Sequence, residues 1–177
     1  MAGDAYVIAR LLATDGDWVL TFVRVILGVV MFAHGAQKLL GWFGGHGLSA
    51  TIRTFRDQLG IPAPLAYLAI AAEFFGGLGL IVGFLTRIAA LGIAITMAVA
   101  MVLVHSQYGF FLNWFGDKQG HGFEYHLLAV ALAVIVIVYG AGAFSLDRAL
   151  YRRLASPAKV ALEFNSVTPF FQRTGSF

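Results

Sequence analysis

The sequence predicts an all-α integral membrane protein, a four-helix bundle with amphipathic interfacial segments in its first loop and its C-terminal tail. Three observations predict it. Charged residues are only 12% of the chain, about half the roughly 25% of a soluble domain. Apolar residues reach 59% and mean hydropathy is +0.81. Four apolar stretches, about 18–40, 64–85, 88–106 and 124–143, have the length of a bilayer-crossing helix, about 17–25 residues.

Composition also excludes functions. The chain has no Cys, which rules out disulfides, thiolate nucleophiles, iron–sulfur ligation through Cys and thioether-attached haem within it. The net charge of +3 is small, and the basic residues cluster near expected membrane edges, leaving no footprint for nucleic acid. At 177 residues the chain is one domain's worth, with no repeat or low-complexity tract.

Residues 1–17 read as an N-terminal arm. Asp4 stands where a signal peptide needs positive charge, and the apolar stretch breaks at Asp15–Gly16–Asp17, so a cleaved signal is not expected. The first span, 18–40, takes Asp15 or Asp17 as its N-cap. At 100° per residue, Gly28, Gly35 and Lys38 lie within about 40° of Arg24, with His34 about 80° away. That polar, glycine-bearing face packs on protein rather than lipid.

Glycines 41, 44, 45 and 47 stop this helix. The stretch from Leu48 to Leu59 is then amphipathic and suits a helix lying on the membrane. The second span, 64–85, carries Glu73 at its middle among small residues that admit a neighbouring helix. A tight turn at 84–87 leads to the third span, 88–106, apolar until His105. An aromatic, glycine-rich loop precedes the fourth span, 124–143, which opens with Glu124 and His126. The tail, 144–177, is basic and amphipathic.

Four spans place both termini on one side. That side would hold Arg10, Arg87, Arg148, Arg152, Arg153, Lys159 and Arg173, against Arg53, Arg56, Lys118 and Lys38 opposite. The positive-inside rule makes both termini cytoplasmic. Trp18 marks one interface, and Trp42 and Trp114 the other.

The polar residues inside the spans are the candidate site. A charge at mid-bilayer costs roughly 2.5–3.5 kcal/mol on insertion scales, so it needs a partner within the bundle. Arg24 and Glu73 are expected to pair, either as a clamp fixing helix register or as a group that polarises or protonates a ligand. Near the outer leaflet, His34, Lys38, His105 and Glu124 are expected to line a site. Glu124 and His126 lie about 200° apart, so only one faces inward, and the expectation is Glu124. No His pair has ligand spacing on one helix, so haem or a metal fits less well than a quinone or similar apolar ring. Trp114, with Phe110, Phe111 and Phe115, either covers that pocket or anchors the loop at the interface.

Four pieces of the chain resemble the DoxX family of bacterial membrane proteins: RVILGVVMFAHGAQKL, AAEFFGGLGLIVGFLTR, Gly122–Phe123–Glu124–Tyr125 and GAGAFSLDR. The resemblance covers about residues 20–150 and carries over to Arg24, Gly35, Lys38, Glu73, Gly77 and Glu124. It implies a four-helix protein of the bacterial inner membrane, related to the DoxD small subunit of thiosulfate:quinone oxidoreductase. The expected function is an oxidoreductase subunit that binds a quinone and passes electrons from a partner. Arg24, Glu73, His34 and Lys38 would be its reacting groups, with His105, Glu124 and Trp114 against the ligand. A non-enzymatic scaffold or assembly subunit of a larger membrane complex is the alternative, and either reading expects a protein partner in such a complex or a homo-oligomer. A carrier ranks last, because no broken helix or repeated half is visible.

Overall fold

The computed structural model describes residues 2–154, with side chains for residues 7–153. Among the described residues there are seven α-helices and no strand: α1 Ala2–Leu12, α2 Trp18–Leu40, α3 Gly47–Asp57, α4 Ala63–Val82, α5 Thr86–Ala100, α6 Glu124–Tyr139 and α7 Leu146–Leu154. The tail cations Lys159 and Arg173 lie outside the described residues.

Local chemistry sets each boundary. The Asp17 carboxylate accepts from Val19 N at 2.6 Å and starts α2. Gly41, with φ of 74°, ends it in the left-handed conformation that glycine adopts without strain. Pro64 sits in the first turn of α4, where a missing N–H removes no helix bond. Gly83 then stops α4 before the expected residue 85. Past Ala100, α5 continues through a π-helical turn, Met101–His105, and a 3₁₀ turn, Ser106–Tyr108.

Helices α2 and α4, together with the continuous run Thr86–Tyr108, are long and apolar enough to cross a membrane. The 16-residue α6 is equally apolar but shorter, about 24 Å at 1.5 Å per residue. These four helices form a ring, in which α2 packs on α4, α4 on α5, α5 on α6, and α6 back on α2. Leu27, Met31, Leu80, Ile93, Met97 and Val136 fill its centre. Phe22, Val29, Leu68, Phe75, Leu91, Ile95 and Leu128 face outward. An apolar exterior around a packed centre is what a bilayer solvent selects.

The α2–α4 seam is the tightest. A methyl group at Gly28 would stand 2.9 Å from Gly77 O, and one at Gly35 or Gly77 would overlap the facing backbone at Phe74 or Phe32. Backbone lies on backbone here, the close approach that small residues permit in a membrane helix pair. The seam fixes how far up α4 each polar residue of α2 can reach. Helix α3 folds back beneath the ring's loop end, with Ile52, Leu48 and Phe55 packed on Leu39, Ala66 and Ile70. Helices α1 and α7 meet at the opposite, terminal end.

Candidate functional site

The expected Arg24–Glu73 pair does not form. Arg24 is almost wholly buried, at 1% exposed, and it spends its guanidinium on backbone. Its Nε donates to Ala141 O at 2.8 Å, one terminal nitrogen donates to Leu80 O and to Ile81 O (2.9 Å), and the other to Phe144 O at 3.1 Å. Leu80 and Ile81 close α4, so a cation meets carbonyls that a helix C-terminus leaves unpaired. Arg87 does the same for α6, donating to Ile137 O and Val138 O, and it reaches Ala13 O. Asp147 is the converse, a carboxylate at a helix start, accepting from Leu85 N, Thr86 N and the Thr86 hydroxyl. These three charges at the terminal end are therefore consumed in satisfying helix ends.

Glu73, at the middle of α4 and 0% exposed, pairs instead with Lys38. The Lys38 Nζ stands 2.5 Å from both carboxylate oxygens. Both are candidate site residues by sequence, and the close α2–α4 seam brings them together. The correction concerns partner, not burial: Lys38, about four turns along α2 from Arg24, is the cation at Glu73's level.

The second correction is on α6. His126 faces inward, 7% exposed. Glu124 turns to the outer loop, where its Oε1 accepts from Leu112 N at 3.0 Å and from Trp114 Nε1 at 3.1 Å. It touches neither Lys38 nor His105 as a hydrogen-bond partner. Trp114 is 72% exposed, and Phe110, Phe111 and Phe115 are exposed with it. The loop aromatics therefore lie on the outside and do not cover the buried groups. Glu124 holds the shape of that loop.

What the ring does gather is a row of polar rings. His34 stacks on Tyr125 with centroids 5.6 Å apart, Tyr125 meets His126 edge-on at 5.2 Å, and His126 lies 4.0 Å from His105. Tyr125 is within electrostatic reach of Glu73, and His126 within reach of His34 and Lys38. His34 Nδ1 bonds Val30 O at 2.9 Å, and His105 Nδ1 bonds His121 O at 2.8 Å. A carbonyl can only accept, so in a neutral ring Nδ1 carries the proton and Nε2 keeps its lone pair. Two buried atoms in the row, the Tyr125 hydroxyl and His126 Nδ1, have no partner.

Beside Tyr125 opens an apolar crevice of about 70 Å³ between α2 and α6, lined by Ile26, Leu27, Val30, Leu128, Ala129 and Leu132 as well. Its exposed walls, Ile26 and Leu128, belong to the apolar exterior of the bundle. Sequence reasoning misses Tyr125 as a site residue altogether. The available signal is a phenol placed beside a His in an otherwise apolar helix. Among the described residues no three His, Asp or Glu side chains are arranged to hold a metal ion.

Similarity to known proteins agrees with this architecture. The DoxX family model matches residues 19–106, the stretch that supplies Arg24, His34, Lys38, Glu73 and His105. The chain belongs to the DoxX family. Among its relatives, CatD of Bacillus subtilis (strain 168), provisionally named an oxidoreductase, is 34% identical over 82 residues. That match covers 46% of this chain and 56% of CatD. The inner membrane protein YqjF of Escherichia coli (strain K12) is 27% identical over 130 residues, 73% of this chain and 90% of YqjF. A protein of Haemophilus influenzae is 29% identical over 147 residues, 82% of this chain and 90% of its own. No solved structure matches. In this DoxX chain, Tyr125 and His126 lie on α6, beyond the matched residues, yet they face His34 and His105 within them.

Proposed function

We propose that this DoxX protein is a quinone-linked oxidoreductase subunit of the bacterial inner membrane. Its four apolar helices cross the bilayer with both termini in the cytoplasm, and electrons come from a partner protein. The observation that carries the reading is the buried, unpartnered hydroxyl of Tyr125, a residue that lines an apolar crevice. A buried hydroxyl without a hydrogen bond is unfavourable by about 1–3 kcal/mol. A ligand carbonyl arriving from the lipid would relieve that. Tyr125 then donates to one ligand oxygen, and His34 Nε2 accepts from a ligand hydroxyl, so both redox forms of a quinone find a partner. A bound quinone supplies two-electron, two-proton chemistry. The Lys38–Glu73 pair fixes the electrostatic field beside it. CatD's name supports the redox reading, and YqjF's name supports the membrane.

The test is binding of a short-chain quinone to the full-length protein in lipid nanodiscs. Tyr125→Phe removes one hydrogen bond and should weaken affinity about tenfold, which corresponds to roughly 1.4 kcal/mol. Leu128→Trp, at an exposed wall of the crevice, narrows it and should weaken binding while the helices remain folded. An intact chain that binds no quinone would remove the proposal.

A further inference from the structure

We infer that His126 and His105 form a proton-exchange route between the buried polar row and the aqueous face at the loop end of the bundle. The purpose of the protons rests on the proposed ligand site, whereas the route itself rests on geometry. His126 is buried, and its Nδ1 has no partner. On one side it touches Tyr125, whose hydroxyl is equally without a partner. On the other, its ring lies 4.0 Å from that of His105 at 36°. His105 is half-buried and ends the π-helical turn Met101–His105. A π turn holds an extra residue, which rotates the next part of the helix and is frequent at functional sites. Here it delivers the ring of His105 onto α6.

The bond from His105 Nδ1 to the His121 carbonyl leaves Nε2 as the acceptor. The other titratable groups facing His126 are His34 and Lys38 from α2, with Glu73 of α4 beyond Tyr125. Glu124, the carboxylate at the start of α6, is turned to the loop, where it accepts from Leu112 N and Trp114 Nε1. In the transfer, an O–H bond of a water-borne proton breaks as an N–H bond forms at His105 Nε2, and that proton passes to His126 Nε2 by ring rotation or across one water. The N–H bond at His126 Nδ1 then breaks as an O–H bond forms on the ligand oxygen that the partner's electrons reduce, which leaves both rings neutral again. Two imidazolium rings 4.0 Å apart repel, so one proton passes at a time.

The experiment uses the full chain in nanodiscs with ¹⁵N-labelled histidine and measures exchange of the His126 ring proton with water by NMR. His105→Leu and His105→Asn should each slow it at least tenfold. The asparagine amide can still donate to the His121 carbonyl, so a variant that merely kept the packing would exchange like wild type. Wild-type exchange in His105→Asn would overturn the route, and that variant decides the matter if His105→Leu does not fold. His105→Glu restores a titratable group and should recover exchange to within about threefold. Failure of that rescue would also count against the route. Quinone binding measured in the same nanodiscs separates the two readings. Intact binding with unchanged exchange removes the route alone, whereas slowed exchange without binding removes the ligand alone.

Discussion

The Lys38–Glu73 pair makes an asymmetric prediction. Removing either partner strands the other, but the two are not stranded alike. The Glu73 side chain is 1% exposed and that of Lys38 is 28% exposed. Lys38 also stands two residues from the end of α2, so its four-carbon stem can carry the ammonium toward the interface. Glu73, at mid-helix on α4, has no such exit. Lys38→Met should therefore destabilise by about 3–5 kcal/mol, the range for an uncompensated buried charge. Glu73→Gln should cost about 1–2 kcal/mol, near the value of a hydrogen bond to a charged group. The double variant should be no worse than Glu73→Gln by more than about 1 kcal/mol, giving non-additivity of about 2 kcal/mol or more. Reversible unfolding in mixed micelles, with denaturing detergent as the titrant, reads all three. Equal single-variant losses would refute the argument from exposure, and additive losses would refute the pairing itself.

Arg24→Lys keeps the charge but not the fork that reaches four carbonyls. It should lose about 2–4 kcal/mol in the same assay and speed amide exchange in the 140–145 turn. Gly77→Leu drives a side chain into the backbone of Phe32 and should prevent the α2–α4 seam from closing, seen as loss of a monodisperse folded species on gel filtration. Asp147→Ala uncaps α5 and should cost about 1–2 kcal/mol, with faster exchange at Leu85 and Thr86 N–H. Glu124→Ala frees Leu112 N and Trp114 Nε1. Tryptophan emission should become more accessible to quencher while global stability moves by less than about 1 kcal/mol, since the loop is exposed.

Much of this molecule is legible in the sequence because the bilayer simplifies the rules. Apolar length gives the helices and the glycines from 41 on give the end of α2, whereas α4 and α6 stop at Gly83 and Gly140, short of the expected residues 85 and 143. The shared face of Arg24, Gly28, Gly35 and Lys38 gives α2 its packed side, and the structure puts α4 against it. What the sequence does not reveal is the partner of each charge. A carboxylate is visible in a sequence, but a helix C-terminus that needs a cation is not. Charge alone matches Arg24 to the nearest acid for that reason, while its actual partners, the carbonyls of Leu80, Ile81, Ala141 and Phe144, are identical in kind to every other residue's. The choice between Glu124 and His126 fails for a related cause. Helical angle shows that they oppose each other, but not that the loop backbone at Leu112 claims the carboxylate.

The two ends of the bundle use polar residues differently, and that difference locates the site better than any single residue does. At the terminal end, Arg24, Arg87 and Asp147 are spent on the backbone of other helices, with Arg87 Nε alone of their atoms buried without a partner, and their geometry would be lost if any of them moved to greet a ligand. At the loop end, Lys38 and Glu73 satisfy each other, His34 and His105 each keep a ring nitrogen in reserve, and Tyr125 and His126 have atoms with no partner at all. A membrane protein under selection for stability alone would replace such atoms with apolar ones, since a phenylalanine in place of Tyr125 removes an unmet hydroxyl at no loss of packing. Tyr125→Phe is therefore expected to leave the fold as stable as wild type or more so, even as it weakens the ligand. A variant that loses stability and binding together would mean that the hydroxyl is a structural member after all.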